Sequence, residues 1–342
     1  MNLKAVATRA FEAAPVPDAL SRLAIKTLVM RTSRTLSGSD DEAARTFAEA
    51  MSAYPVAAQT DAANRQHYEV PAAFFECVLG PQRKYSCCLY DTRSSTLAEA
   101  EELALETSAK NAALADGQTI LELGCGWGSL TLWMARRFPN ASILAVSNSS
   151  SQRAYILDTA TRQGLSNIRV VTADMNAFAT TETFDRIVSI EMFEHMSNWR
   201  KLLERMHAWL TPDGRAFIHV FAHRATPYRF DNDRDDDWIA EHFFTGGIMP
   251  SHRLMYQFTD LFHVEQDWRW NGENYARTAD DWLNNFDKNR NRIAEILAPV
   301  YGTETSLWLR RWRLFFLATS GLFEFRDGQE WGISQYRLRR SH

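Results

Sequence analysis

The stretch TILELGCGWGSLTLWMARRF, residues 119–138, decides the fold. Its first five residues are rich in apolar and β-branched side chains and predict a buried strand, while SLTLWMARRF predicts a helix. Between them, Gly124, Gly126 and Gly128 let bare backbone approach a ligand closely at the electropositive N-terminus of that helix. The strand, the glycine turn and the helix together predict a cofactor site of the nucleotide-binding type.

The sequence continues to alternate between strand and helix patterns after this stretch. Short apolar runs, separated by helical stretches, are SILAVS (142–147), IRVVTA (168–173), FDRIVSI (184–190) and RAFIHVF (215–221). This spacing predicts β-α-β units, and hence an α/β fold whose ligands bind beyond the carboxyl ends of parallel strands. Two further strands, FHVEQDWRW and EWGISQYRL, follow with two predicted helical stretches between them.

The composition is that of an ordinary globular protein, with 342 residues, 45% of them hydrophobic and 23% charged. A net charge of −4 gives no bulk electrostatic reason to expect a nucleic-acid partner. The four cysteines match neither a disulfide framework nor a zinc pattern. The sequence has no apolar core of signal-peptide type and no uninterrupted apolar stretch of the ~20 residues that cross a bilayer. We therefore expect a cytoplasmic protein that binds no nucleic acid and no metal.

The glycine turn differs from that of a dinucleotide dehydrogenase. Such an enzyme would have glycine at position 129 and an acid about 20 residues after the loop to hold the ribose. This sequence has Ser129 and then LAVSNSSSQ. Instead, ELGCGWG, which begins at Glu122, resembles motif I of the class I methyltransferases that use S-adenosylmethionine (SAM). That class usually has an acid at the end of the second strand, so the absence of one here reduces the number of methyltransferase families to which the sequence can belong.

A wider set of motifs, from about His67 to Tyr336, resembles the cyclopropane fatty acid synthase superfamily of SAM-dependent methyltransferases, and most closely its coclaurine-type N-methyltransferases. In order, they are HYEVPAAFF, KYSCCLY, LELGCGWGSLTL, SNSSSQ, EMFEHM, DDDWI, FFTGGIMPS and NYARTADDWL. The resemblance implies a Rossmann-like, seven-stranded, mostly parallel sheet for residues 67–342, preceded by an N-terminal helical extension over residues 1–66. The aromatic, aperiodic stretch from about 221 to 260 is long for a plain connection and predicts an active-site lid.

The resemblance also implies cofactor-binding roles for residues of this chain. Tyr85 and Ser86 would bind the methionine end of SAM, and the three loop glycines would pass beneath its carboxylate and sulfonium. Two further groups would hold the rest of the cofactor: Ser147, Asn148 and Gln152 the ribose, and Asp174, Met175 and Ile190 the adenine. Hydroxyls and amides can replace the missing acid because they form neutral hydrogen bonds to ribose hydroxyls.

Two carboxylates and an imidazole follow the strand FDRIVSI, namely Glu191, Glu194 and His195. They lie on the same rim as the glycine loop, and a helix there would place Glu191 and His195 on one face. Methyl transfer to nitrogen needs a neutral lone pair, whereas amines are largely protonated at neutral pH. Carboxylates near the acceptor can hold the ammonium and accept its proton, directly or through His195.

This cluster therefore predicts an acceptor-binding and general-base site for a small aromatic or alkaloid-like amine. Four aromatic residues, one within this motif and three in the lid stretch, would favour a flat or cationic acceptor, with packing inside the lid as the alternative role: Phe193, Tyr228, Phe230 and Trp238.

Two other functions stay open at this point. Lipid enzymes of the superfamily methylate an acyl-chain alkene and use a bound bicarbonate, for which the resemblance implies a pocket of Cys87, Glu194, His219 and Tyr275. Glu191 favours the amine, because an unpaired charge beside an acyl chain would be costly. A SAM-binding protein without catalysis is the other alternative, and the intact EMFEH counts against it.

A homodimer and a peripheral membrane contact through the basic, aromatic SLWLRRWRLFFLATSGLF also stay open, although internal packing is the favoured role of that segment.

Overall fold

The structure is a computed structural model of the chain that describes residues 16–36, 40–58, 70–230, 238 and 242–341. Parts of the predicted N-terminal extension and of the predicted lid lie outside these residues. The same holds for the first three letters of HYEVPAAFF and for DDDWI apart from Trp238.

A seven-stranded sheet forms the centre of the molecule. The strands of the described residues are β1 Thr119–Leu123, β2 Ser142–Ser147, β3 Ile168–Thr172, β4 Phe184–Ile190, β5 Leu210–His223, β6 Tyr228–Arg229, β7 Ile248–Met249, β8 Phe262–Trp270 and β9 Trp331–Arg340. The sheet has the order β3-β2-β1-β4-β5-β9-β8, with β6 and β7 forming a separate two-stranded ribbon. Strands β1 to β5 pair in parallel, and β9 runs antiparallel to β5 and β8. The predicted α/β class with a mostly parallel seven-stranded sheet is confirmed.

Helices connect the parallel strands and place their carboxyl ends along one edge. The described helices are α1 Asp18–Thr35, α2 Asp40–Ala50, α3 Ala72–Val78, α4 Leu97–Asn111, α5 Ser129–Arg137, α6 Ser150–Arg162, α7 Trp199–Trp209, α8 Glu273–Lys288, α9 Arg290–Tyr301 and α10 Thr305–Phe323. Three of them, α5, α6 and α7, follow β1, β2 and β4, as the sequence predicts. The strands β1 and β2 are buried after their exposed first residues, because helices cover the centre of the sheet and leave mainly aliphatic residues inside.

The prediction of two helical stretches between the last two strands is wrong, because the chain forms the three helices α8, α9 and α10 there. Only Asn289 separates α8 from α9, so the apolar periodicity runs on without a glycine or proline to mark the break. Gly302, at φ +52°, then ends α9.

Helix α10 contains the basic, aromatic segment and is an internal helix. Trp312 and Phe316 are fully buried, while Arg313 forms ion pairs with Asp18 of α1 and Asp287 of α8. The apolar side therefore packs inside the fold and the arginine reaches carboxylates at its margin. Among the described residues, no helix is both long enough and apolar enough to cross a membrane.

The described part of the N-terminal segment is helical and packs tightly on the rest of the chain. Ile25 of α1 is buried in the same apolar cluster as α10. Farther along, the backbone N–H of Ser197 donates to the carbonyl of Val56 at 2.7 Å. Ala57 and Asn176 exchange two hydrogen bonds, of 3.1 and 3.0 Å. These bonds bring the end of this segment to the rim formed by the carboxyl ends of the strands.

Candidate active site

A cavity lies along the carboxyl edge of the sheet, where the glycine loop follows β1. Most of the residues assigned to SAM from the sequence line it: Tyr85, Ser86, Gly124, Gly126, Ser147, Asn148, Gln152, Asp174, Met175 and Ile190. Gly128 is not part of the lining. The topology alone brings these residues together, because the loops after neighbouring parallel strands meet at one edge.

The three glycines of the loop have different surroundings. All have positive φ, at +76° for Gly124, +51° for Gly126 and +78° for Gly128. A Cβ at Gly124 or Gly128 would collide with Met192 or Ile156 at 2.5 and 2.6 Å, whereas one at Gly126 would meet nothing within 4 Å. Gly124 and Gly128 are therefore needed for close packing, and Gly126 leaves open space in the cavity for a ligand.

The polar residues after β2 and β3 are held by local hydrogen bonds. The Ser147 hydroxyl donates to the Gln152 side-chain oxygen at 2.7 Å, and the Ser149 N–H donates to Ser147 Oγ at 3.0 Å. The N–H of Asn176 donates to Asp174 Oδ1 at 2.6 Å. Each group can still offer hydrogen-bonding atoms to a ligand, so the arrangement is compatible with the ribose and adenine roles, which stay predictions.

Glu191 has a strained backbone and a carboxylate surrounded by donors. Its φ of +47° lies in the left-handed region that non-glycine residues rarely adopt. The Cys87 N–H donates to its Oε1 at 2.8 Å, the Tyr275 hydroxyl donates to its Oε2 at 2.6 Å, and His219 Nε2 lies 3.4 Å from Oε1. Burial opposes ionisation, but His219, Lys84 and Tyr275 outweigh it and hold the pKa of Glu191 below its usual value. Glu191 is therefore an ionised carboxylate that lines the cavity.

Glu194 has the opposite electrostatic character. Its side chain is fully buried behind the cavity, and its Oε1 accepts the backbone N–H of Phe221 at 2.7 Å. Its Oε2 is buried without a hydrogen-bond partner among the described residues. Burial, together with the nearby charge of Glu191, raises the pKa of Glu194 well above its ordinary value. The pair therefore holds one ionised and one neutral carboxyl group, as expected for like charges that share a site.

His195 lines the cavity, but not by the geometry that a helix would give. A 3-10 helix covers only Phe193–His195, and Glu191 precedes it in the left-handed conformation. The expected i, i+4 relation within a helix is therefore wrong, because the chain turns sharply at Glu191, directly after β4. The His195 ring stacks on Phe244 with centroids 5.3 Å apart, which fixes it at the cavity wall.

The four residues of the predicted bicarbonate pocket lie around Glu191. Tyr275 lines the cavity, whereas Cys87, Glu194 and His219 lie behind the lining. The Cys87 thiol donates to the carbonyl of Cys88, and burial raises its pKa well above the usual value. His219 is fully buried, and burial lowers its pKa against the effect of Glu191, so its ring is neutral.

A family model described as mycolic acid cyclopropane synthetase matches residues 57–330. The chain belongs to this family. A curated relative, (S)-coclaurine N-methyltransferase of Thalictrum flavum subsp. glaucum, is 34% identical over 284 residues, which cover 82% of this chain and 79% of the relative. The (S)-tetrahydroprotoberberine N-methyltransferase of Eschscholzia californica is 33% identical over 84% of each chain. The resemblance inferred from the motifs is thus confirmed.

Within the mycolic acid cyclopropane synthetase family, lipid enzymes are less similar to this chain. The cyclopropane-fatty-acyl-phospholipid synthase of Escherichia coli (strain K12) is 27% identical, covering 79% of this chain and 66% of the relative. The solved structure of coclaurine N-methyltransferase bound to N-methylheliamine and SAH has a TM-score of 0.93 at 31% identity, covering 97% of this chain and 98% of that one. The cyclopropane synthase MmaA2 from Mycobacterium tuberculosis, at 23% identity and a TM-score of 0.70 over 84% of this chain and 99% of that one, shares the fold.

The sequence did not predict several residues that line the cavity of this protein. Ala57 and Ala58, from the segment that carried no chemical motif, line it, as does Lys84. Beside the predicted Tyr85 and Tyr275, the missed aromatic residues of the wall are Trp127, Phe221, Phe244, Trp282 and Phe315. Phe230, one of the predicted aromatic neighbours, packs on Phe244 from outside the lining, with centroids 5.6 Å apart. No sequence signal separates these aromatic residues from ordinary core, since both are apolar and occur at helical or strand spacing.

Proposed function

We propose that this protein is a SAM-dependent methyltransferase that transfers a methyl group to the amine nitrogen of a small, aromatic or alkaloid-like molecule. The observation that carries the proposal is the ionised Glu191 carboxylate in a cavity that joins the glycine loop to an aromatic wall. The relatives named as N-methyltransferases of coclaurine and tetrahydroprotoberberine support the amine acceptor.

The cofactor end of the cavity fits SAM in shape and in donors. The open space above Gly126 leaves room for the methionine part beside bare backbone. Ser147 and Gln152 would face the ribose, and Asp174 and Met175 the adenine. When bound, SAM supplies an electrophilic methyl group on a sulfonium.

The acceptor end combines aromatic faces with one negative charge. Phe221, Phe244 and Phe315 offer flat apolar surfaces, and Tyr275 and Trp282 extend the wall. Such a wall binds aromatic rings and cations, and Glu191 attracts an ammonium. A protonated aromatic amine satisfies both demands, because its charge can lie at Glu191 while its ring lies against the wall.

In the reaction, an N–C bond forms as the S–C bond of the methyl donor breaks, and the acceptor nitrogen loses its proton. Glu191 holds the ammonium and accepts that proton, either directly or through His195, which lines the same cavity. The Cys87 N–H and the Tyr275 hydroxyl keep the carboxylate oriented, and the surrounding aromatic residues exclude water. Glu194 stays protonated and carries no charge that would compete for the ammonium.

The residues that would hold bicarbonate in the lipid reaction do not fit that role here. The Tyr275 hydroxyl and the Cys87 N–H both donate to the carboxylate of Glu191, and His219 faces the same group. A carboxylate of the chain itself therefore takes the donors of this pocket. A second anion there would lie against Glu191 and be repelled.

The test uses methyl-labelled SAM with two sets of acceptors. One set is a series of small aromatic secondary and tertiary amines; the other is vesicles of unsaturated phospholipid, with and without added bicarbonate. We expect label in the amine fraction, with no dependence on bicarbonate. Bicarbonate-dependent label in the lipid would refute the proposal, and SAM binding without turnover on either set would indicate a binding protein.

A further inference from the structure

Two buried amides, of Gln335 and Asn111, lie behind His219, the imidazole that faces Glu191. His219 of β5 pairs in register with Gln335 of β9, so their side chains lie on the same face of the sheet. Gln335 Nε2 lies 3.0 Å from His219 Nδ1, and Asn111, the last residue of α4, donates from Nδ2 to Gln335 Oε1 at 2.7 Å. Gln335 and His219 are fully buried and Asn111 nearly so.

We infer that Asn111 and Gln335 are positioning residues that set which nitrogen of His219 carries its proton. Because Asn111 donates to the oxygen of Gln335, the amide of Gln335 presents its N–H₂ group to His219. Nδ1 of His219 must then be the acceptor, and the single proton of the neutral ring lies on Nε2, which faces Glu191 Oε1.

This arrangement matters for the proposed reaction, on which the inference rests, because it determines what Glu191 experiences. With the proton on Nε2, the N–H of the neutral ring faces Oε1 at 3.4 Å, and although the two atoms do not form a hydrogen bond in this geometry, the N–H dipole stabilises the ionised carboxylate. With the proton on Nδ1, the lone pair of Nε2 would face the carboxylate at 3.4 Å and favour a protonated Glu191. Asn111 and Gln335, neither of which touches Glu191, would thus control whether the carboxylate is ionised and able to accept a proton at neutral pH.

The decisive variant is Asn111→Asp, which does not touch His219. An ionised aspartate cannot donate to Gln335 Oε1 and instead accepts from Nε2, so the amide of Gln335 reverses and offers its oxygen to His219 Nδ1. We expect long-range ¹H–¹⁵N spectra of the histidine-labelled protein to show the His219 proton on Nε2 in wild type and on Nδ1 in this variant. Nine histidines contribute peaks, and the peak absent from His219→Gln identifies His219.

The kinetic counterpart is a shift in the acid limb of the pH profile of kcat/KM. Asn111→Asp should move that limb to higher pH and lower kcat/KM at neutral pH by about tenfold, less than the ~10²-fold or greater loss of removing a base. SAM affinity should be unchanged. Ser334→Ala is the matched control, because Ser334 lies on the other face of β9, is equally buried and hydrogen-bonds to His252 instead of His219. Its His252 peaks should change, whereas its His219 peaks and its pH profile should equal those of wild type.

Gln335→Glu is the second variant, in case the buried aspartate prevents folding. Glutamate has the same shape, can still accept from Asn111, and should draw a proton to Nδ1 of His219. A wild-type proton on Nδ1, or a variant that moves the proton without changing the pH profile, would overturn the inference. The spectra need no acceptor, so they stay informative even if no amine is methylated and the proposed function fails.

Discussion

At the scale of single residues, the site depends on two glutamates with opposite charge states. Glu191 has a lowered pKa because its donors outweigh its burial, whereas burial and the charge of Glu191 raise the pKa of Glu194. The left-handed backbone of Glu191 costs roughly 1–3 kcal/mol, and such strain persists only where the surroundings impose it. The sequence indicates both carboxylates as functional, but only the fold distinguishes them.

Glu191→Gln should lower turnover by a factor on the order of 10²–10⁴, the range for a lost general base. SAM affinity, measured by titration, should be retained because the glycine loop is unchanged. The loss should shrink as the pH rises toward the pKa of the amine, since the acceptor then arrives deprotonated. A loss that is independent of pH would argue against a role in proton removal.

Glu194→Gln is the matched comparison and should leave turnover within about tenfold of wild type, because an amide mimics the protonated acid and can still accept from Phe221. Its effect on stability should depend on pH. A carboxyl whose pKa is raised by folding keeps its proton in the folded state at pH values where the unfolded state has already lost it. The free energy of unfolding therefore falls as the pH rises above the unfolded pKa of about 4.3. The glutamine variant escapes this cost. Its melting temperature should therefore exceed that of wild type increasingly between pH 5 and pH 8.

At the scale of elements, the sequence predicts the turn between β1 and α5, but it does not show which of the three glycines are needed for packing and which one faces the cavity. Their spacing in the sequence is regular, and only the packed structure shows that Met192 and Ile156 crowd two of them while the third faces open space. The strand-turn-helix order depends on local patterns, whereas these contacts come from distant parts of the chain.

Gly126→Leu should abolish SAM binding while the protein stays folded, because the side chain would enter the cavity and not the core. Gly128→Leu should instead lower the melting temperature strongly, since its Cβ alone would lie 2.6 Å from Ile156. Both variants share the strain of positive φ, so they control for each other. Titration with SAM and thermal unfolding of each variant test the contrast, and equal SAM affinity in Gly126→Leu and wild type would contradict it.

At the scale of the whole molecule, the sequence predicts the parallel half of the sheet and the rim that holds the site. It does not predict how the ends of the chain complete the cavity. Ala57 and Ala58 reach the lining through hydrogen bonds to Asn176 and Ser197, residues more than a hundred positions away. Phe315 lines the cavity from α10, a helix with no chemical motif. Such contacts depend on tertiary packing, which leaves no periodic signal in the sequence.

The predicted division at residue 66 can be tested through Ile25, which packs against α10. A Cβ at Gly321 would lie only 2.6 Å from Ile25 Cγ2, so the two helices are closely packed at this contact. Because α10 also carries Phe315, we propose that the N-terminal helices fold as one unit with the methyltransferase domain. Ile25→Ala should then lower the free energy of unfolding by about 2 kcal/mol or more and weaken acceptor binding, with a single calorimetric transition.

Leu23→Ala is the control on the same helix, because Leu23 is 62% exposed and its loss should change stability by only about 0.5 kcal/mol or less. Calorimetry distinguishes the two architectures directly. If residues 1–66 formed an independent extension, Ile25→Ala would split off a separate low-temperature transition and leave acceptor affinity unchanged, because α10 would keep its place without α1. One shifted transition together with a raised KM for the amine means that the helix at the beginning of the chain helps to hold the wall against which the acceptor binds.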